Sequence, residues 1–154
     1  MPKKHLFALV ASFLLVTATL FSPTPAAASS ARPATEWYAN NYNGECIDDS
    51  IEFRLRTFPC NGLAFQQWIP HRWPDGSFEL RNNATQRCID DSTTNGVRIF
   101  GCNGLTYQRW YIRSVGGGMF YWQNQTTGAC LTALDNHVLR GVGCGEAGNR
   151  QFWY

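Results

Sequence analysis

The chain has 154 residues, with 13 Lys plus Arg against 11 Asp plus Glu, and its length suits a single domain. Its only lysines are Lys3 and Lys4, so the part after residue 28 sets 11 Arg against 11 acids and is formally neutral. A neutral, lysine-free domain lacks the electrostatic footprint of a nucleic-acid binder and has no basic cluster to hold an anionic membrane.

Lys3 and Lys4 open the chain as a basic flank, and an apolar run follows from about Leu6 to Phe21. Pro23, Pro25 and Ala26-Ala27-Ala28 then supply breakers and a small-residue cleavage signal. This pattern predicts a secretory signal peptide over 1–28 and a secreted, extracellular product. The apolar run is short for a membrane span, so no membrane insertion is expected. Residues 29–35 (SSARPAT) read as a short disordered leader. The folded domain is expected over 36–154, in an oxidising compartment where disulfides persist.

From there the sequence repeats itself. The cysteines fall at Cys46/Cys60, Cys88/Cys102 and Cys130/Cys144, each pair 14 residues apart and each recurring 42 residues on. A fixed period identifies an architecture before any local assignment. Three copies of one unit should close the same local loop three times, pairing Cys46–Cys60, Cys88–Cys102 and Cys130–Cys144. A loop of that size contributes about 3 kcal/mol in the chain-entropy account.

The first unit (36–70) reads CIDDS at 46–50, LRTFPCNG at 55–62 and QQW at 66–68. The second (78–112) reads CIDDS at 88–92, VRIFGCNG at 97–104 and QRW at 108–110. The third (120–154) is weaker: CLTAL at 130–134, VLRGVGC at 138–144 and QFW at 151–153, with one extra residue before the last motif. An Asn precedes each first cysteine at the same offset: Asn40, Asn82 and Asn124. Within units, period-2 alternation predicts short strands. Arg54, Arg56, Phe58 and Cys60 share one face, as do Arg98, Phe100 and Cys102. Asn43-Gly44, Asn61-Gly62, Asp75-Gly76, Asn95-Gly96, Asn103-Gly104 and Gly116–Gly118 mark the turns. No stretch of the mature region carries a 3.6-residue period. Each unit has room for four short strands, and three units are too few for a propeller.

Three cysteine pairs registered to three QxW motifs resemble the ricin-type β-trefoil lectins over the whole mature domain. The resemblance implies an all-β, β-trefoil fold of three repeats, with Trp68, Trp110 and Trp153 in the core. It implies a carbohydrate partner, mono-, oligo- or polysaccharide, and no enzymatic role. In such a lectin an Asp two residues after the first Cys accepts sugar hydroxyls and an aromatic two residues before the second Cys stacks on the sugar. The QxW Gln, often with a preceding Asn, completes the contacts. By position these are Asp48, Phe58 and Gln66 in repeat 1 and Asp90, Phe100 and Gln108 in repeat 2. Arg56 and Arg98 lie two residues before the aromatics on the same strand face. The chemistry stands without the family: a carboxylate accepts two hydroxyls through charge-assisted bonds, and an aromatic ring complements the C–H face of a pyranose.

The chain departs from the pattern in two places. The Asn position holds Phe65, Tyr107 and Arg150, and the third repeat has Thr132 for the acid and Val142 for the aromatic. Repeat 3 is therefore expected to be structural, leaving up to two sugar sites. The rival expectation is a protein-interaction module, a toxin accessory subunit or an inhibitor, since a fold does not fix a function. Asp48-Asp49 and Asp90-Asp91 point to opposite strand faces and make no catalytic dyad. No zinc or calcium spacing is present and no cofactor is expected. Asn83-Ala84-Thr85 and Asn124-Gln125-Thr126 match glycosylation sequons.

Overall fold

The computed structural model describes residues 34–154. The expected signal peptide lies outside the described residues, as does the leader up to residue 33. Ten strands are formed among the described residues: β1 (Glu45–Ser50), β2 (Arg54–Pro59), β3 (Trp68–Arg72), β4 (Phe78–Asn82) and β5 (Arg87–Ser92), then β6 (Gly96–Gly101), β7 (Trp110–Gly116), β8 (Met119–Asn124), β9 (Cys130–Ala133) and β10 (Leu139–Val142). Short 3-10 turns at Ala64–Gln66, Thr106–Gln108 and Gly148–Gln151 carry the QxW glutamines.

Six extended segments close a barrel. Glu36 bridges Trp68 on β3, β3 pairs β4, Phe78 on β4 meets Trp110 on β7, and β7 pairs β8. Phe120 on β8 then bridges Trp153, which bridges Asn40. The first and last described segments join through Ala39 and Tyr154, each donating its N–H to the other's carbonyl at 3.0 and 3.1 Å.

Three hairpins cap the barrel. β1–β2, β5–β6 and β9–β10 each attach through the strand or segment before them, at Ala39↔Cys46, Arg81↔Cys88 and Gln123↔Cys130. Their registers match: Asp48 faces Arg56, Asp90 faces Arg98 and Thr132 faces Arg140. The three expected disulfides are formed, with Cα–Cα separations of 5.1, 5.0 and 5.0 Å.

Trp68, Trp110 and Trp153 are fully buried, and each ties its indole N–H to the backbone of its own hairpin. The acceptors are the carbonyls of Ile47, Ile89 and Leu131, at 3.1, 3.1 and 3.0 Å. A buried indole needs such an acceptor. A second core layer breaks the symmetry by placing Tyr38, Leu80 and Trp122 at equivalent positions. Tyr38 donates its hydroxyl to Glu36 at 2.6 Å, and burial, with Glu36 beside it, pushes the phenol above its ordinary range.

Asn40, Asn82 and Asn124 form a buried ring of braces between repeats. Each donates Nδ2 to a carbonyl beside a QxW glutamine: Arg150, Phe65 and Tyr107, at 3.0, 2.7 and 2.8 Å. Each Oδ1 accepts the N–H of the residue two positions on. Asn124 is thus sealed, and its sequon presents no accessible amide in the folded domain.

Candidate carbohydrate site

The β1–β2 hairpin holds Asp48 and Arg56 opposite one another because their positions are cross-strand partners on one face. Arg56 donates Nε to Asp48 Oδ1 at 3.2 Å. Its guanidinium carbon lies 4.0 Å from the centre of the Phe58 ring and 4.4 Å from that of Phe53. Phe53 comes from the β1–β2 turn and is 57% exposed. Asp48 is only 3% exposed, but its Oδ2 has no protein partner among the described residues. These four side chains, with Leu63 and Phe65, line an open depression of about 400 Å³.

Repeat 2 reproduces the centre without the outer wall. Arg98 donates Nε to Asp90 Oδ1 at 2.9 Å and lies 4.6 Å from the Phe100 ring centre. Asn95 occupies the turn position that Phe53 holds in repeat 1, and Phe100 is 47% exposed. In repeat 3 the acid's place is taken by Thr132, whose hydroxyl donates to the Cys130 carbonyl at 2.9 Å.

The structure brings Asp48, Arg56 and Phe58 together, and likewise Asp90, Arg98 and Phe100. The glutamines lie deeper. Gln66 and Gln108 are buried, and each spans its own loop. Gln66 accepts from Asn61 N–H at 2.8 Å and donates to the Pro59 carbonyl at 3.1 Å. Gln108 does the same with Asn103 and Gly101, at 2.8 and 3.0 Å. Gln151 repeats the brace in the third unit with Gly145 and Gly143. Both ends of each carboxamide bond to backbone, so these residues brace the loop beside the depression.

Arg56 lies over the Phe58 ring, and His137 packs against that ring at 5.8 Å between centroids, so part of the ring is covered by protein while Phe58 still lines the depression. The side chains that sequence reasoning missed are Phe53 and His137. The signal for Phe53 was present in the aromatic placed next to Arg54 and Arg56, but a turn residue has no parity to follow.

The second acid of each CIDDS faces the other way. Asp49 is fully buried and takes Arg87 Nη2 at 2.6 Å, Arg87 Nε at 3.2 Å and the Thr85 hydroxyl. Burial pushes its carboxyl above the usual range, against the pull of Thr85 and Arg87. Asp91 takes the Thr127 hydroxyl at 2.5 Å, while Ala129 stands where Arg87 would be. Its carboxyl is also raised by burial, with Thr127 as the offset. Gly141 packs against it so closely that a Cβ there would lie 2.8 Å from Asp91 Oδ2.

Residues 37–154 match the ricin-type β-trefoil lectin domain. No curated protein matches the chain in sequence. Among solved structures, the designed threefold-symmetric protein ThreeFoil aligns with a TM-score of 0.67 at 18% identity, over 76% of this chain and 94% of its own. SeviL bound to the asialo-GM1 saccharide aligns at 0.65 and 14% identity, over 76% and 91%. The cytolethal distending toxin of Haemophilus ducreyi aligns at 0.65 and 16% identity, over 77% and 80%. At these identities the structural likenesses establish the fold. The repeat, the closed barrel and the domain match agree, and the chain belongs to the ricin-type β-trefoil lectin family.

Proposed function

We propose that this protein is a secreted carbohydrate-binding domain that works by binding, not catalysis, with sugar sites in repeats 1 and 2. The observation that carries the reading is the twofold Asp–Arg–Phe constellation. In each copy an arginine orients the acid through one oxygen and leaves the other for a ligand hydroxyl. The arginine's terminal nitrogens add donors beside that acceptor, which suits the alternating donors and acceptors of a sugar edge. The family and the sugar-bound likeness support the same reading. Export rests on the basic-then-apolar start of the chain, and recovery of processed protein from the medium tests it.

Single shallow sites of this kind bind weakly, near millimolar or about −4 kcal/mol, and two of them gain by avidity on a polymer or cell surface. Glycan-array binding of the oxidised protein is expected and should disappear in the folded Asp48→Asn/Asp90→Asn double variant. A folded wild type that binds no glycan refutes the proposal.

A second reading, a protein-interaction module, draws on the apolar rim of repeat 1. Ile51 is 78% exposed, and Phe53 and Leu63 stand beside it. Free monosaccharide at tens of millimolar separates the two: displacement of the bound partner eliminates the protein interface.

A further inference from the structure

Repeat 3 lacks the acid but keeps the base. Arg140 is the counterpart of Arg56 and Arg98, and its cross-strand partner is Thr132 where they have Asp48 and Asp90. Arg140 is exposed and has no ion-pair or hydrogen-bond partner for its side chain among the described residues. Losing the acid therefore leaves an uncompensated guanidinium rather than an inert surface.

That guanidinium lines a cleft of about 380 Å³ between repeats 3 and 1. Arg56, His137 and Asn136 line it too, Phe53 forms a wall, and no carboxylate is among its lining residues. The nearby acids are engaged with two of these lining residues: Asp48 holds Arg56 through Nε, and Glu45 lies 2.9 Å from His137 Nδ1, which leaves Arg140 as the lining cation without a paired acid among the described residues. Arg56 keeps its terminal nitrogens free of hydrogen-bond partners among the described residues. Phe53 and Arg56 also line the repeat-1 depression, so the cleft adjoins the candidate sugar site.

We propose that this cleft is an anion subsite extending the repeat-1 site, and that it selects acidic saccharides whose carboxylate or sulfate pairs with Arg140. The proposal rests on the lectin reading for the adjoining site, while its own evidence is the unpaired Arg140 in a lining that holds no carboxylate. A guanidinium fork matches the planar carboxylate and the oxygens of a sulfate through paired N–H···O bonds. Because the cleft is open to water, salt screens part of the attraction.

The test is titration of the full oxidised chain with three probes: an oligogalacturonate, its uncharged methyl ester, and a sulfated galactose oligosaccharide. Wild type, Arg140→Gln and Arg140→Lys are compared, with circular dichroism confirming the fold of each. One charge-assisted pair should make the acid about tenfold tighter than the ester. Arg140→Gln should lower the acid to the level of the ester, Arg140→Lys should keep part of the gain, and added salt should shrink it. A stronger response to the sulfated probe, also lost in Arg140→Gln, identifies sulfate as the preferred anion. Equal binding of acid and ester, or an advantage that survives in Arg140→Gln, overturns the subsite while leaving the lectin reading intact. Arg140-dependent binding of the acid without binding of the ester supports the subsite and makes the anion the main source of affinity. No binding of any probe overturns the subsite, and the glycan array then decides the lectin reading by itself.

Discussion

Repeats 1 and 2 share the letters CIDDS, yet their second acids live in different electrostatic worlds. Asp49 meets a two-pronged arginine and a hydroxyl supplied by the next repeat. Asp91 meets a hydroxyl, an alanine and the bare backbone of Gly141. The partner of each acid lies about 36 to 38 residues downstream, across a repeat boundary. A repeat unit therefore does not own its energetics. Copying a motif copies its shape, while its stability depends on what the neighbouring copy has kept.

The strongest way to break this comparison is to make repeat 1 resemble repeat 2. Arg87→Ala leaves Asp49 buried without its cation, and the loss of stability is expected to be about 3 kcal/mol. That is the low end for a broken buried pair, because Arg87 keeps partial exposure. Chemical denaturation measures it, and a loss below the size of an ordinary surface change would contradict the assigned role.

Next in size is the binding test within each hairpin. Asp48→Asn and Asp90→Asn should each weaken sugar binding at their own repeat about tenfold, with no unfolding. Calorimetry on the single variants, read as loss of one site while the other persists, sharpens the comparison of the two hairpins.

Asp91→Asn should act with the opposite sign on stability. The folded-state pKa of Asp91 is raised by burial, so its contribution favours folding when it is protonated and is lost as pH rises above the unfolded value of an ordinary aspartate. The variant is expected to be more stable than wild type at pH 7, by on the order of 1 kcal/mol. Below about pH 3.5 the two should converge, since the acid is then protonated in both folded and unfolded states. Thermal melts across that range provide the check, and a constant difference at all pH values would reject the titration account.

The smallest effect concerns the hairpin turns. Arg54 holds a left-handed backbone, with φ of 59°, where repeat 2 places Gly96 with φ of 63°. Arg54→Gly should relieve about 0.5–1 kcal/mol of local strain, partly offset by the greater freedom of glycine in the unfolded chain. Gly96→Arg should cost a similar amount, and melting temperatures of the pair measure both.

Much of this was legible in the residues. The 42-residue period predicted three like units and their cysteine pairing, because repeats copy backbone geometry first, and the resemblance those motifs carry implied the trefoil and its buried QxW tryptophans. Strand parity put Arg56 with Phe58 and Arg98 with Phe100, while Asp48 and Asp90 came from the resemblance to the ricin-type lectins. What parity cannot carry is depth. Gln66 and Gln108 are polar residues beside a core tryptophan, and only the closed loop reveals that both ends of each amide are already bonded. Nor does alternation find contacts between repeats: the Asn40, Asn82 and Asn124 braces, the His137–Phe58 contact and the Asp49–Arg87 pair all join segments far apart in sequence.

The backbone exchange between Ala39 and Tyr154 has its own consequence. Those two hydrogen bonds knit the first and last segments as neighbouring strands, so the barrel is topologically a ring whose cut happens to fall there. A circularly permuted chain, with a short linker joining these segments and new ends opened in the Gly116–Gly118 turn, should keep the same barrel. Its hydrogen-exchange protection should move with the cut, leaving the tryptophan core as the slowest part to open.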